Sequence, residues 1–148
     1  MLTRTSELGI KTILYLALNE SEQPIPPRRM ADALRCSPSY LAKTANMLVK
    51  AGLLRALRGA SGGLLLTRSP DEITLLDVVE ACQGLVTANY CSEPAAGTPI
   101  CGYHEAMAEL HEAITSTLSR WTLRDLLTTP YRDSDVAGLD CRMLIHPQ

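Results

Sequence analysis

Apolar residues in this chain recur at helical spacing, break into two short runs, and then return to helical spacing. Over Thr5–Asn19, Leu8, Ile13, Leu16 and Ala17 form one helix-period face that Leu14 and Leu18 widen, with Thr5 or Ser6 placed to cap it. A loop over Glu20–Pro27 ends in two prolines, and Pro27 suits the first turn of a short second helix, Arg28–Arg35, buried through Met30, Ala31 and Leu34. Cys36 and Ser37 turn into a third helix, Pro38–Ala51. Ser37 is its N-cap, Pro38 its first residue, and Gly52 follows its end. Leu41, Ala45, Leu48 and Val49 face the core at i, i+4, i+7 and i+8. The other face carries Ser39, Tyr40, Lys43, Thr44, Asn46 and Lys50.

Two apolar runs, Leu53–Leu57 and Leu64–Thr67, flank a basic glycine-rich turn, Arg58–Gly63. Helix, strand, tight basic loop and strand outline a winged helix. After Ser69 and Pro70, Thr74 caps a fourth helix, Leu75–Gly84, buried through Leu75, Val78, Val79 and Cys82. Leu85–Gly102 lacks periodicity and reads as a long loop, of the kind that carries function or disorder. Tyr103, Met107, Leu110, Ile114, Thr117 and Trp121 then alternate at spacings of four and three along a long helix, Tyr103–Trp121, an a/d seam suited to a second copy of the chain. Thr122 caps a last short helix, Leu123–Leu127. The expected class is mainly α: a winged helix-turn-helix with a two-stranded wing and a long C-terminal dimerisation helix. One unit is expected over 2–130, with the winged part in 1–70 and a sensor loop and dimerisation helix in 74–127. Residues 131–148 read as a flexible tail.

Charge divides the chain in the same place. Residues 1–70 hold ten Lys and Arg against four Asp and Glu, a balance of +6, and residues 71–148 hold four against twelve, −8. Such asymmetry points the first half at a polyanion, double-stranded DNA above all. No apolar run is long enough to span a membrane, and the first helix carries Glu7 and Lys11, so neither a membrane partner nor a signal peptide is expected. The default location is cytoplasmic. Five cysteines, an odd number in a reducing compartment, argue against a disulfide framework. No catalytic triad order, phosphate-cradling glycine loop or carboxylate pair stands out, so no enzyme is expected.

A winged helix divides its labour on DNA. Arg28, Arg29, Lys43 and Lys50 suit phosphates, Ser37, Ser39, Tyr40 and Thr44 suit groove edges or phosphate oxygens, and Arg58 suits a narrow minor groove beside Ser61 on the wing. Use of the same surface against a protein is the alternative. Downstream, Cys91, Cys101 and His104 place two thiols and an imidazole on and just after the long loop, soft or borderline ligands for an iron–sulfur cluster or zinc. A metal-free dithiol switch, or no sensing role, are the other readings of that loop. Cys82 reads as a buried apolar group, Cys36 as a packed turn residue, and His111 as solvent-facing or interfacial.

From Arg4 to about Pro130 the chain resembles the Rrf-two family of bacterial transcription regulators, in its IscR/NsrR-like branch. RTSELGIKTILYLAL, SPSYLAKTANMLVKAGLL and RGASGGLLLTRSPDEITLLDVVEAC carry the resemblance. It implies homodimers on palindromic operators, Arg58 in the minor groove, and Ser37, Ser39 and Tyr40 at the DNA. An acidic base-reading residue of IscR-like members falls at Ala42. The resemblance also implies a 2Fe–2S cluster sensing redox state, nitric oxide or iron–sulfur supply. His104 falls at a histidine ligand position, and Glu7 at a carboxylate ligand contributed by the partner subunit. Cluster-binding members hold three cysteines in this loop, whereas the stretch between Cys91 and Cys101 has none.

Overall fold

Helix α1 (Arg4–Leu18) is enclosed on nearly every side, with nine of its fifteen residues buried. The computed structural model describes residues 2–22, 24–86 and 101–128. Around α1 stand α2 (Pro27–Ala33), α3 (Pro38–Lys50), the antiparallel hairpin of β1 (Leu54–Leu57) and β2 (Gly63–Leu66), α4 (Leu75–Gln83), α5 (Gly102–Arg120) and α6 (Leu123–Thr128). Ile13, Leu16, Leu41, Leu48, Val78 and Val79 meet in one core, and α1 touches α3, α4, β2 and α6.

The cap of α1 is Thr3, whose hydroxyl accepts from the Ser6 N–H at 3.1 Å, and not the expected Thr5 or Ser6. The helix begins one residue earlier, which carries Ser6 inside, where its hydroxyl donates to Gln83 Oε1 at 2.6 Å. Leu18, expected on the buried face, is 58% exposed because the last turn runs past the enclosing helices, while Tyr15 is buried. Gly9 sits where α1 meets α3 and α4. A Cβ there would lie 2.6 Å from Cys82 Sγ, 3.4 Å from Val78 and 3.8 Å from Leu48.

Helix α3 starts as its sequence dictates, with Ser37 Oγ accepting from the Tyr40 N–H at 3.2 Å. The turn before it holds Arg35 at φ +51°, a left-handed conformation that costs a non-glycine residue about 1 kcal/mol. Along the hairpin Leu54 pairs with Leu66 and Leu57 with Gly63. Ile25 adds a bridge to the other edge of β2, exchanging two 2.9 Å backbone hydrogen bonds with Leu64. Gly63 admits this approach, because a Cβ would fall 2.5 Å from the Ile25 backbone.

A reciprocal Thr74–Asp77 capping box opens α4, as expected of Thr74. The end of α5 is stitched back to that start: Leu75 N–H donates to Trp121 O at 2.9 Å and Leu123 N–H to Ile73 O at 2.8 Å. Thr122 then caps α6 by accepting from the Asp125 N–H, and Asp125 in turn accepts from Thr122. Those two bonds hold the Asp125 carboxyl below its ordinary range.

The seam expected on α5 divides. Met107, Ile114 and Trp121 lie on a half-buried row with His104, His111 and Leu118. Tyr103, Leu110 and Thr117 lie on an exposed row with Ala106 and Ala113. One seam drawn through both rows misses that α5 has two apolar sides, one of them on α4. The expected long loop falls largely, and the tail wholly, outside the described residues.

Replacing Gly9 with alanine should destabilise the fold by about 1–3 kcal/mol through overpacking, read as a lower urea midpoint. The same change in a Cys82→Ala background should cost far less, giving a coupling energy in the double-mutant cycle. Burial pushes the Cys82 thiol up to about 11. Alkylation of the native chain near about pH 8, followed by mass spectrometry, should therefore label exposed Cys101 and spare Cys82 until the protein is unfolded.

Candidate nucleic-acid interface

Two elements project from the core on the basic half. On α3 the exposed strip runs through Ser39, Ala42, Lys43, Asn46 and Lys50, residues three or four apart. Ser37 is exposed at the cap, its Oγ 3.3 Å from Ser39 Oγ. Tyr40 is half-buried, with its hydroxyl 3.2 Å from Thr5 Oγ1 on α1. Thr44 corrects the expectation: it is fully buried, and its hydroxyl donates to the Tyr40 carbonyl at 3.0 Å. It lies three residues from Leu41 and four from Leu48, so its position belongs to the apolar row whatever its polarity.

The wing is the second element. Arg58 and Ser61 are both exposed at its tip. Gly62 N–H closes the tip onto Gly59 O at 3.0 Å, and Gly59 stands at φ +109°, where glycine is needed. Arg55, exposed on β1, joins these cations, although along the sequence it lies within the apolar run Leu53–Leu57. Asn46 was visible there as a polar position, and only the exposure of the strip sets it beside Lys43.

The cations differ in freedom. Arg28 is exposed on the first turn of α2. Arg29, one residue on, is held by Glu22 at 2.5 Å, and that hydrogen-bonded ion pair raises its pKa. Arg124 of α6 pairs with Asp71. Among the described residues no ion pair engages Arg28, Lys43, Arg55 or Arg58.

Of the candidate ligands, Cys101 and His104 lie at the start of α5, which packs on α4. Cys101 is the N-cap of α5, its exposed sulfur accepting from the His104 N–H at 3.4 Å. His104 is half-buried one turn on, and Cys91 lies outside the described residues. Glu7 is half-buried on the first turn of α1, in an open depression with Arg4, Leu8, Lys11 and Leu34. Among the described residues no three His, Cys, Asp or Glu side chains gather within reach of one metal ion. Thus Cys101 and His104 are brought together, and Glu7 of the same chain is not. His111 is half-buried, with a shielded Nδ1 that has no hydrogen-bond partner among the described residues. Cys36 is half-buried against the core, and burial raises its pKa.

The Rrf2 family model, described as an iron-dependent transcriptional regulator, matches residues 2–129. The regulator NsrR of Halalkalibacterium halodurans is 30% identical over 134 residues, covering 86% of this chain and 90% of that protein. Among solved structures, CymR, the global cysteine regulator of B. subtilis, superposes with a TM-score of 0.73 at 24% identity, covering 88% of this chain and 98% of the other. IscR of T. potens superposes with a TM-score of 0.72 at 23% identity, covering 93% of each chain. No described helix is long and apolar enough to cross a membrane. The winged helix, its wing and the long helix behind it, together with a family match that spans nearly all of the sequence, place this chain in the Rrf2 family of transcriptional regulators.

Proposed function

We propose that this chain acts in the cytoplasm as a homodimer that reads a palindromic operator and reports redox state, nitric oxide or iron–sulfur supply through the 91–104 loop. The observation that carries the DNA-reading part is the exposed strip of α3 and a basic wing whose arginines make no ion pair among the described residues, on a half of the chain with a balance of +6. Arg28 and Lys43 serve phosphates, Ser37 and Ser39 serve the groove edge and its rim, and Arg58 with Ser61 serves the minor groove. Tyr40 contributes mainly by tying α3 to α1. The exposed row Tyr103, Ala106, Leu110, Ala113 and Thr117 on α5 supplies the dimer seam, and two α3 helices set about one DNA turn apart would read the two half-sites. The family assignment and the NsrR likeness support the DNA-reading part, and the CymR and IscR structures share the fold.

The donor set at the loop fits an iron–sulfur group in its chemistry. Cys101 offers an exposed thiol and His104 an imidazole one helical turn away, with Cys91 and the partner subunit's Glu7 completing four ligands. A bound 2Fe–2S cluster supplies one-electron redox chemistry and reactivity towards nitric oxide. The chain itself links that region to the reading helix. Gln83, the last residue of α4, accepts from Ser6 Oγ at 2.6 Å and from the Thr3 N–H at 3.1 Å. Thr5, adjacent to Ser6, hydrogen-bonds Tyr40 of α3. Helix α4 thus meets α1 through Gln83 and α3 by direct packing, and α1 meets α3 through Thr5.

Binding to a duplex selected from a random pool should weaken steeply as salt rises, and Arg58→Ala should weaken it further by about 1–3 kcal/mol. A response flat in salt would turn the reading towards a protein-binding module. Anaerobically purified protein should carry iron and acid-labile sulfide with visible absorbance, and Cys101→Ser should remove both. Colourless, iron-free protein after reconstitution would exclude the cluster. In that event, an oxidant-induced mobility shift abolished by Cys91→Ser would establish the dithiol switch in its place.

A further inference from the structure

The turn between α2 and α3 closes as a Schellman motif. Cys36 N–H donates to the Ala31 carbonyl at 3.0 Å and Arg35 N–H to the Asp32 carbonyl at 3.2 Å. The motif puts its central residue in the left-handed region, and here φ is +51°. Glycine takes that conformation without steric penalty, and the other positive-φ residues among those described are all glycines. This one is Arg35. Among the described residues its side chain does nothing to offset the strain. It is exposed, and among the described residues it makes no ion pair or hydrogen bond. By contrast, Arg29 is held by Glu22, Arg124 by Asp71, and Arg68 by the Glu72 carbonyl at 3.3 Å. A strained backbone carrying an unengaged guanidinium points to a partner outside the chain.

Position narrows the partner. Arg35 lies two residues before the Ser37 cap, on the turn that leads into the exposed strip of Ser39, Lys43 and Asn46. When α3 enters a major groove, its strip faces the groove floor and the preceding turn faces the rim, which is lined by phosphates. The guanidinium fork matches two phosphate oxygens at once. We propose that Arg35 is a phosphate clamp that fixes the register of α3 on the duplex, independent of base sequence. This inference rests on the DNA-binding reading above.

The test compares full-length wild type with Arg35→Gly, Arg35→Gln, Arg35→Lys and Arg58→Ala. A mixed-sequence duplex of about thirty base pairs serves as probe, followed by fluorescence anisotropy over a salt series. Arg35→Gly and Arg35→Gln should bind severalfold more weakly and flatten the slope of log K against log salt by about 0.9 per engaged protomer, while Arg35→Lys keeps the slope. Arg35→Gly should at the same time melt above wild type, because its backbone strain is relieved. Affinity and stability then move in opposite directions, which a merely structural turn residue would not produce. If Arg35→Gly keeps the wild-type affinity and slope while Arg58→Ala weakens binding, the clamp is overturned and the DNA-binding reading stands. If the wild type binds no duplex at any salt, both fall together.

Discussion

The close approach of α1 to α3 and α4 at Gly9 is the constraint on which the other contacts depend. With no Cβ at that point, Leu48 of α3 and Val78 and Cys82 of α4 reach the same spot on α1. A methyl group would have to displace a sulfur that is itself buried. Helices α3 and α4 are therefore packed on one rod. Only at such spacing can short side chains bridge between helices, as Thr5 does to Tyr40 and Ser6 to Gln83.

The wing depends on a second close approach. A two-stranded hairpin is marginal by itself. Here Ile25 pairs with Leu64 and is fully buried, so the loop before α2 serves as a third edge of the sheet. Gly63 permits it, and Leu53, Leu54 and Leu64 anchor the hairpin in the core. The base of the hairpin is thus held in the core, while Arg58 is exposed at its tip.

Much of this was legible in the sequence, because its strongest signals are local. Ser37 and Pro38 mark the start of α3, Thr74 and Asp77 that of α4, and the glycines between 59 and 63 mark the hairpin. What failed depended on neighbours. Thr44 reads as polar and therefore outward, but its spacing from Leu41 and Leu48 seals it inside. Leu18 reads as core, but it is exposed at the end of α1 while Tyr15 and Leu16 of the same turn are buried. The heptad on α5 merged two rows because a helix with apolar residues on two sides looks, along the sequence, like a helix with one broad side. Arg35 gave no signal at all: a left-handed turn is announced by glycine, and an arginine in that place looks like the end of a helix. Of the proposed metal ligands, the structure joins Cys101 to His104 through the cap of α5. Glu7 drew on family likeness and not on local pattern, and so was the least legible, while Cys91 lies outside the described residues.

The magnitudes bear on how such a molecule could switch. Its core is apolar and close-packed, and an interior of that kind resists gradual deformation. Besides that packing, α4, α1 and α3 are linked by a few hydroxyl and amide hydrogen bonds, each worth about 1 kcal/mol net. Coupling between distant sites in regulators is typically about 1–3 kcal/mol, or roughly 5–150-fold in affinity. Remaking the Ser6–Gln83 and Thr5–Tyr40 bonds is therefore of the right size to alter DNA affinity without repacking Ile13, Leu16 or Leu48. The two bonds leave adjacent residues of one helix, about 100° apart around its axis, one towards α4 and the other towards α3.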